Sequence, residues 1–355
     1  MRPARRVGLV VLALSMALPA SALDFREGRL LLTLYEQVGR FNVSVIDEAA
    51  ASGFAPLLVD EDPRTTVLAV AIGNRMFRLG ESSAFDMQLV TDADAPGFLW
   101  TSQQLEIKET FAFIASSLGR PADGIILTLT IRNVSEDDLE VGARYIFDTF
   151  LGEAGSDHFA LSNGQQVSRE LTMQGSSTSD YWVSGPQDGQ TSLLVTTSGG
   201  GTTRPDRVVF ANWKRLNDVA WTYATSSNRN FNLPPFSIGD SSASHYYGPR
   251  VLPRGATWTI RFVIGQYLAA GFDLEAAASN ATADTAAVIR EAVSRPGTGD
   301  SLAVTSSVDL TIVQAVVAEL NRYLDGEGAV PSAEDLDSIR AALAGIRAKL
   351  DAAAR

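Results

Sequence analysis

The chain has 355 residues, of which 45% are hydrophobic, contains no cysteine, and carries a formal net charge of -12 at pH 7. Without cysteine there can be no disulfide, no thiolate nucleophile and no cysteine-ligated zinc or iron–sulfur centre. A body this acidic is repelled by phosphate backbones and anionic lipid faces, which argues against nucleic acid and against docking on a membrane surface.

In chain order, the first element is "MRPARRVGLVVLALSMALPASA". Arg2, Arg5 and Arg6 precede a short apolar run that ends in Ala20-Ser21-Ala22, the small-x-small pattern that a signal peptidase accepts. Residues 1–22 therefore read as a secretory signal cleaved after Ala22, which places the mature chain in the periplasm or outside the cell. The run is short for a bilayer span of about 20 residues, and no comparable run follows, so no transmembrane segment is expected in the mature chain.

From 23 to 271 the pattern predicts a β domain. Runs at 29–36, 41–47, 66–73, 85–92, 104–114, 125–133 and 257–267 are rich in β-branched and aromatic residues and are bounded by Gly, Pro, Asp or Asn. The clearest is 104–114, where Leu105, Ile107, Phe111 and Phe113 share one face with a single charged residue, Glu109. Residues 128–152 read as a hairpin turning at "NVSEDD", with Val141, Ala143, Tyr145 and Phe147 on one face of the return strand. So many strands without intervening helices predict a large antiparallel two-sheet β-sandwich. The polar stretches 161–190 and 196–206 read as surface loops.

After residue 271 the composition becomes Ala-rich and helical, giving a C-terminal region over 272–355. Leu310, Val313, Val317, Leu320 and Leu324, then Leu336, Ile339, Leu343, Ile346 and Leu350, recur at three- and four-residue spacing. The stripes predict a helical hairpin, or a surface within 308–350 for a protein partner or self-association.

Two stretches could carry chemistry. "DTFLGEAGSDHF" holds Asp148, Glu153, Asp157 and His158, one of only two histidines. It reads as a turn closing a strand, as a loop offering oxygens to calcium, or as a set of acid/base or sugar contacts. The regular alternation of acids in calcium loops is missing, and no metal site or other cofactor is expected. Downstream, 208–223 and 239–250 supply Trp213, Trp221, Asp240, His245 and Tyr246, an aromatic and polar set that suits either a carbohydrate or a core. His158 and His245 are the candidates for proton transfer near neutral pH. Nucleophile-elbow, zinc-helix, phosphate-loop and dinucleotide motifs are absent.

The elements "GARYIFDTFLGE", "PDRVVFANWKRLNDVAWTY" and "DSSASHYYGP", in that order and followed by an alternating last strand, resemble a group of uncharacterised secreted bacterial proteins. That group is similar to galactose mutarotase in its two-sheet supersandwich, and the resemblance covers about 23–271. It implies the same architecture here. Mutarotases use two histidines and a glutamate on a concave sheet face. His158 in "DHFALSN" is similar to the first histidine, whereas the second histidine motif and the glutamate have no counterpart. The leading expectation is thus an exported, non-catalytic protein with a binding or structural role in the cell envelope. The alternative is a carbohydrate-active protein, either an epimerase or a lectin-like binder.

Overall fold

The computed structural model describes residues 22–272 and 274, apart from 48, 93–94, 117–120, 156–157 and 188–190. The leader up to residue 21, the expected C-terminal helices apart from residues 272 and 274, and Asp157 lie outside the described residues.

The chain opens with β1 (Ala22–Glu27), β2 (Leu30–Tyr35), β3 (Arg40–Ile46) and β4 (Phe54–Pro56), an antiparallel meander in that order. Next come β5 (Val67–Ile72), β6 (Arg75–Arg78), β7 (Asp86–Val90), β8 (Gly97–Thr101), β9 (Leu105–Ile114), β10 (Gly124–Asn133) and β11 (Leu139–Asp148). Shorter strands follow: β12 (Phe159–Leu161), β13 (Gln166–Val167), β14 (Leu171–Gln174), β15 (Tyr181–Ser184), β16 (Leu193–Thr196) and β17 (Arg207–Asn212). A six-residue helix, α1 (Trp213–Asp218), precedes the long strands β18 (Ser241–Leu252) and β19 (Thr257–Gln266).

A nine-stranded sheet runs β13-β12-β15-β16-β19-β10-β9-β8-β7, and a six-stranded sheet runs β14-β17-β18-β11-β5-β6. The molecule is therefore mainly β with three antiparallel sheets among the described residues, not the two expected. Side chains from the inner faces interdigitate: Tyr145 and Phe147 of the six-stranded sheet meet Phe262 of the nine-stranded one at 5.2 and 5.7 Å between ring centres. The small sheet adds to the same core through Phe41, which lies 4.7 Å from Phe111.

The alternation read in 104–114 is carried into the structure. Leu105, Ile107, Glu109 and Phe111 are buried, and Lys108 is exposed. The expected hairpin over 128–152 is overturned, because β10 pairs with β9 and β19 while β11 pairs with β5 and β18. The turn is an arch between two sheets. Its shape is held by Asn133, whose Nδ2 donates to the Asp137 and Leu252 carbonyls at 2.8 and 2.9 Å and whose Oδ1 accepts from Ser135. The stretch 161–190, expected as a loop, instead supplies β13, β14 and β15.

Residues 213–240 fold over the outer face of the six-stranded sheet. Leu216 and Tyr223, with Trp213, Val219 and Trp221, pack on Val67, Ala69, Ile146, Val209, Ala211 and Tyr246. Asp148, two residues beyond Ile146 on β11, shares that outer face by strand alternation. No helix among the described residues is long and apolar enough to cross a membrane.

Candidate functional site

Three carboxyl groups from separate parts of the chain meet where β11 ends and β18 begins. Asp148 closes β11 and is 5% exposed. Its backbone is fixed on both sides, because its N–H donates to Thr66 Oγ1 at 3.2 Å and its carbonyl accepts from Val59. Glu153 stands in the turn that follows, and its Oε1 accepts from the Ser241 N–H at 2.9 Å. Asp240 immediately precedes β18, and its carbonyl accepts from the Trp213 N–H and the Asn212 Nδ2.

His158 completes the group. Its Nδ1 lies 2.9 Å from Ser241 Oγ, so Ser241 touches Glu153 with its backbone and His158 with its hydroxyl. The imidazole packs on Phe231 at 4.5 Å. The turn can bring Glu153 and His158 to the same serine because Gly152 has no side chain. A Cβ there would come within 2.0 Å of the His158 carbonyl oxygen.

Burial raises Asp148 to about 7, and the nearby charges of Asp240, Glu153 and Asp62 push the same way. Burial likewise raises Glu153 to about 7, with Asp240 adding to it. Asp240 is raised as well, chiefly by burial. Near neutral pH the cluster thus holds carboxylic acids and carboxylates side by side, donors and acceptors within one constellation.

Aromatic and apolar surface adjoins the acids. Phe150, two residues past Asp148, is 40% exposed, and the loop before Asp240 shows Phe236 at 68% and Ile238 at 83%. Trp213, half-buried at the start of α1, donates from Nε1 to the carbonyl of Thr65 at 2.8 Å, and the Thr65 side chain hydrogen-bonds Asp148.

The other expected site residues lie elsewhere. His245 is fully buried in the core, where Nε2 accepts from Trp182 Nε1 at 2.8 Å. Burial lowers it to about 3, so it stays neutral. It lies four residues along β18 from Ser241, about 13 Å of strand from the His158 contact. A proton shuttle using both histidines has no footing in this geometry. Tyr246 is buried on the outer face, and Trp221 crosses it edge-on at 5.7 Å. Among the described residues no group of three or more His, Asp or Glu is placed to hold a metal ion.

Ser241, Thr65, Phe150 and Phe236 were not singled out from sequence. Serine and threonine at strand ends carry no distinctive pattern. The only signal for the two phenylalanines was an apolar residue inside a polar turn.

No protein-family model and no curated protein matches the chain. Among solved structures, the galactose mutarotase related enzyme from Lactobacillus acidophilus is similar at 8% identity, covering 70% of this chain and 98% of that one with a TM-score of 0.43. A putative aldose 1-epimerase from Escherichia coli K12 is 11% identical, with 70% and 99% covered and a TM-score of 0.42. The alpha-N-acetylgalactosaminidase from Bifidobacterium bifidum is 9% identical, with 76% of this chain and 38% of that chain covered and a TM-score of 0.42. The first two of these carry names of the galactose mutarotase and aldose epimerase kind.

Proposed function

We propose that the protein is an exported, lectin-like carbohydrate binder whose sugar sits at the Asp148–Glu153–Asp240 end of the six-stranded sheet. One observation carries this reading: carboxyls from β11, its following turn and the approach to β18 converge beside exposed rings. Sugars present hydroxyls that need both donors and acceptors, and C–H faces that stack on aromatic planes. Acid groups held near neutrality meet the first need, and Phe150, Phe236 and Trp213 meet the second. Binding is favoured over epimerisation because His245, the second candidate for proton transfer, is sealed in the core.

The test is a thermal-shift and calorimetric screen of the purified protein against neutral mono- and oligosaccharides. A bound sugar at a hundred times its Kd stabilises by about 2.7 kcal/mol. Glu153→Gln and Asp240→Asn should each weaken binding by roughly tenfold, the loss expected for one charge-assisted hydrogen bond. A panel that leaves the wild-type melting temperature unmoved, or a response indifferent to both substitutions, would sink the reading.

A further inference from the structure

The outer face of the six-stranded sheet carries a different group away from the acids. Cross-strand register sets Arg78 beside Ala69, Ala69 beside Arg144, Arg144 beside Tyr246, and Tyr246 beside Arg207. Three arginines and one tyrosine thus lie in a single row across β6, β5, β11, β18 and β17. The ring of Tyr246 lies between two of them, 5.8 Å from the Arg144 guanidinium carbon and 4.1 Å from that of Arg207.

Residues 217–223 pass over this row as a strap. The carbonyls of every second residue accept from the arginines: Asn217 from Arg78, Val219 and Trp221 from Arg144 Nη1 at 3.4 and 3.2 Å, and Tyr223 from Arg207 at 3.5 Å. Trp221 seats its indole on Gly142, where a Cβ would come within 2.7 Å of the ring.

The strap uses only one corner of Arg144. Its Nε and Nη2, the two parallel donors that fit an oxyanion side-on, are buried and meet no acceptor at full hydrogen-bond geometry; the buried Tyr246 hydroxyl beside them is the polar side chain that interacts with the guanidinium. Arg144 is fully buried, and among the described residues no carboxylate forms an ion pair with it or with Arg207. A guanidinium does not shed its charge, and a buried cation is stable only when paired. Tyr246 is the side chain beside it that favours its charge, whereas Arg78 and Arg207 have its own sign.

We propose that Arg144, Tyr246 and Arg207 form a binding site for a small oxyanion, a carboxylate, sulfate or phosphate group, seated against the Nε–Nη2 edge of Arg144. The anion enters as the strap lifts, and guanidinium–carbonyl bonds of 3.2 to 3.5 Å give way to an ion pair with a full negative charge on the acceptor side. This site is separate from the acid cluster and does not depend on the carbohydrate reading.

The experiment is calorimetry and thermal shift of the purified protein with sodium sulfate, sodium phosphate and sodium glucuronate, against sodium chloride and glucose at matched ionic strength. Saturable binding of any of the three oxyanions is expected, weakened at least tenfold in Arg207→Gln and abolished in Arg144→Met. Because Arg144→Met can misfold, the half-exposed Arg207→Gln carries the result alone if needed. Lys108→Gln, exposed on β9 and in neither site, should leave anion binding unchanged. A response to glucuronate alone identifies the source as a sugar-borne carboxylate, and a response to sulfate or phosphate identifies a free or ester-borne anion. No response beyond the chloride control, or binding that survives in Arg207→Gln at full strength, overturns the proposal.

Discussion

Glu109 stands in the middle of the core, fully buried, with the Tyr145 hydroxyl donating to its Oε1 at 2.8 Å. Burial raises it to about 7, against the pull of that hydrogen bond and of Arg40. A carboxyl whose folded pKa lies above its unfolded value adds stability that is complete below the unfolded pKa and is lost as pH rises through the folded one. Glu109, Asp148 and Glu153 all lie in that class, with folded values of about 7. His245 acts oppositely below about 6.5, since its folded value of about 3 means that only the unfolded chain takes up its proton. The three carboxyls outweigh the one imidazole, so the melting temperature should rise as pH is lowered from 8 to 5.5. Glu109→Gln keeps an acceptor for Tyr145 without a charge to desolvate. It should be the more stable protein at pH 8, by on the order of 3 kcal/mol for a shift of this size, and should flatten the profile. Differential scanning calorimetry across that range reads both effects, and a wild-type melting temperature that falls on acidification would refute them. Glu109 is visible in the sequence as the one charged residue on an apolar face, but its partner Tyr145, 36 positions away, is not.

At the level of elements, strand positions were legible because alternation with period two is a local property of burial on one face. Strands such as β9 and β19 follow directly from it. Which strands pair is a different matter. β10 and β11 are adjacent in sequence and equally apolar, and nothing between them distinguishes a tight turn from an arch. The distinction rests on Asn133 reaching the carbonyl of Leu252, 119 residues away. Asn133→Ala removes four hydrogen bonds at a fully buried position. It should cost about 2–4 kcal/mol, measured as a lower midpoint in urea unfolding. A change under about 0.5 kcal/mol would mean that the arch is shaped by the sheets and not by its side chain.

Across the whole molecule, the candidate site was half legible. Asp148, Glu153, His158 and Asp240 were all marked as polar residues in aromatic surroundings, and the fold brings these four to one place. His245, Tyr246 and Trp221 carried the same local signal and lie elsewhere: His245 and Tyr246 sit four and five residues along β18 from Ser241, on opposite faces of the sheet, and Trp221 lies against Gly142. Export has its own check at this scale. The first strand runs from Ala22 to Glu27 and pairs with β2 along its length, so cleavage after Ala22 leaves 23–27 in place. N-terminal sequencing of the protein recovered from the periplasm or medium should begin at Leu23. Retention of Met1, with the protein in the cytoplasm, would remove the basis for an envelope role.

The positions of β18 and β19 have a consequence for how the molecule comes into being. The two C-terminal strands among the described residues do not lie at sheet edges. β18 fills the gap between β17 and β11, and β19 fills the gap between β16 and β10. A ribosome that has not yet passed residue 266 has therefore released a chain in which neither large sheet can close. Pairings such as Gly124 with Gly265 wait for the end of the domain, and contacts so distant in sequence form slowly. Until β19 is made, β16 and β10 stay unjoined and the nine-stranded sheet exists only as two pieces, so the domain commits to its fold late.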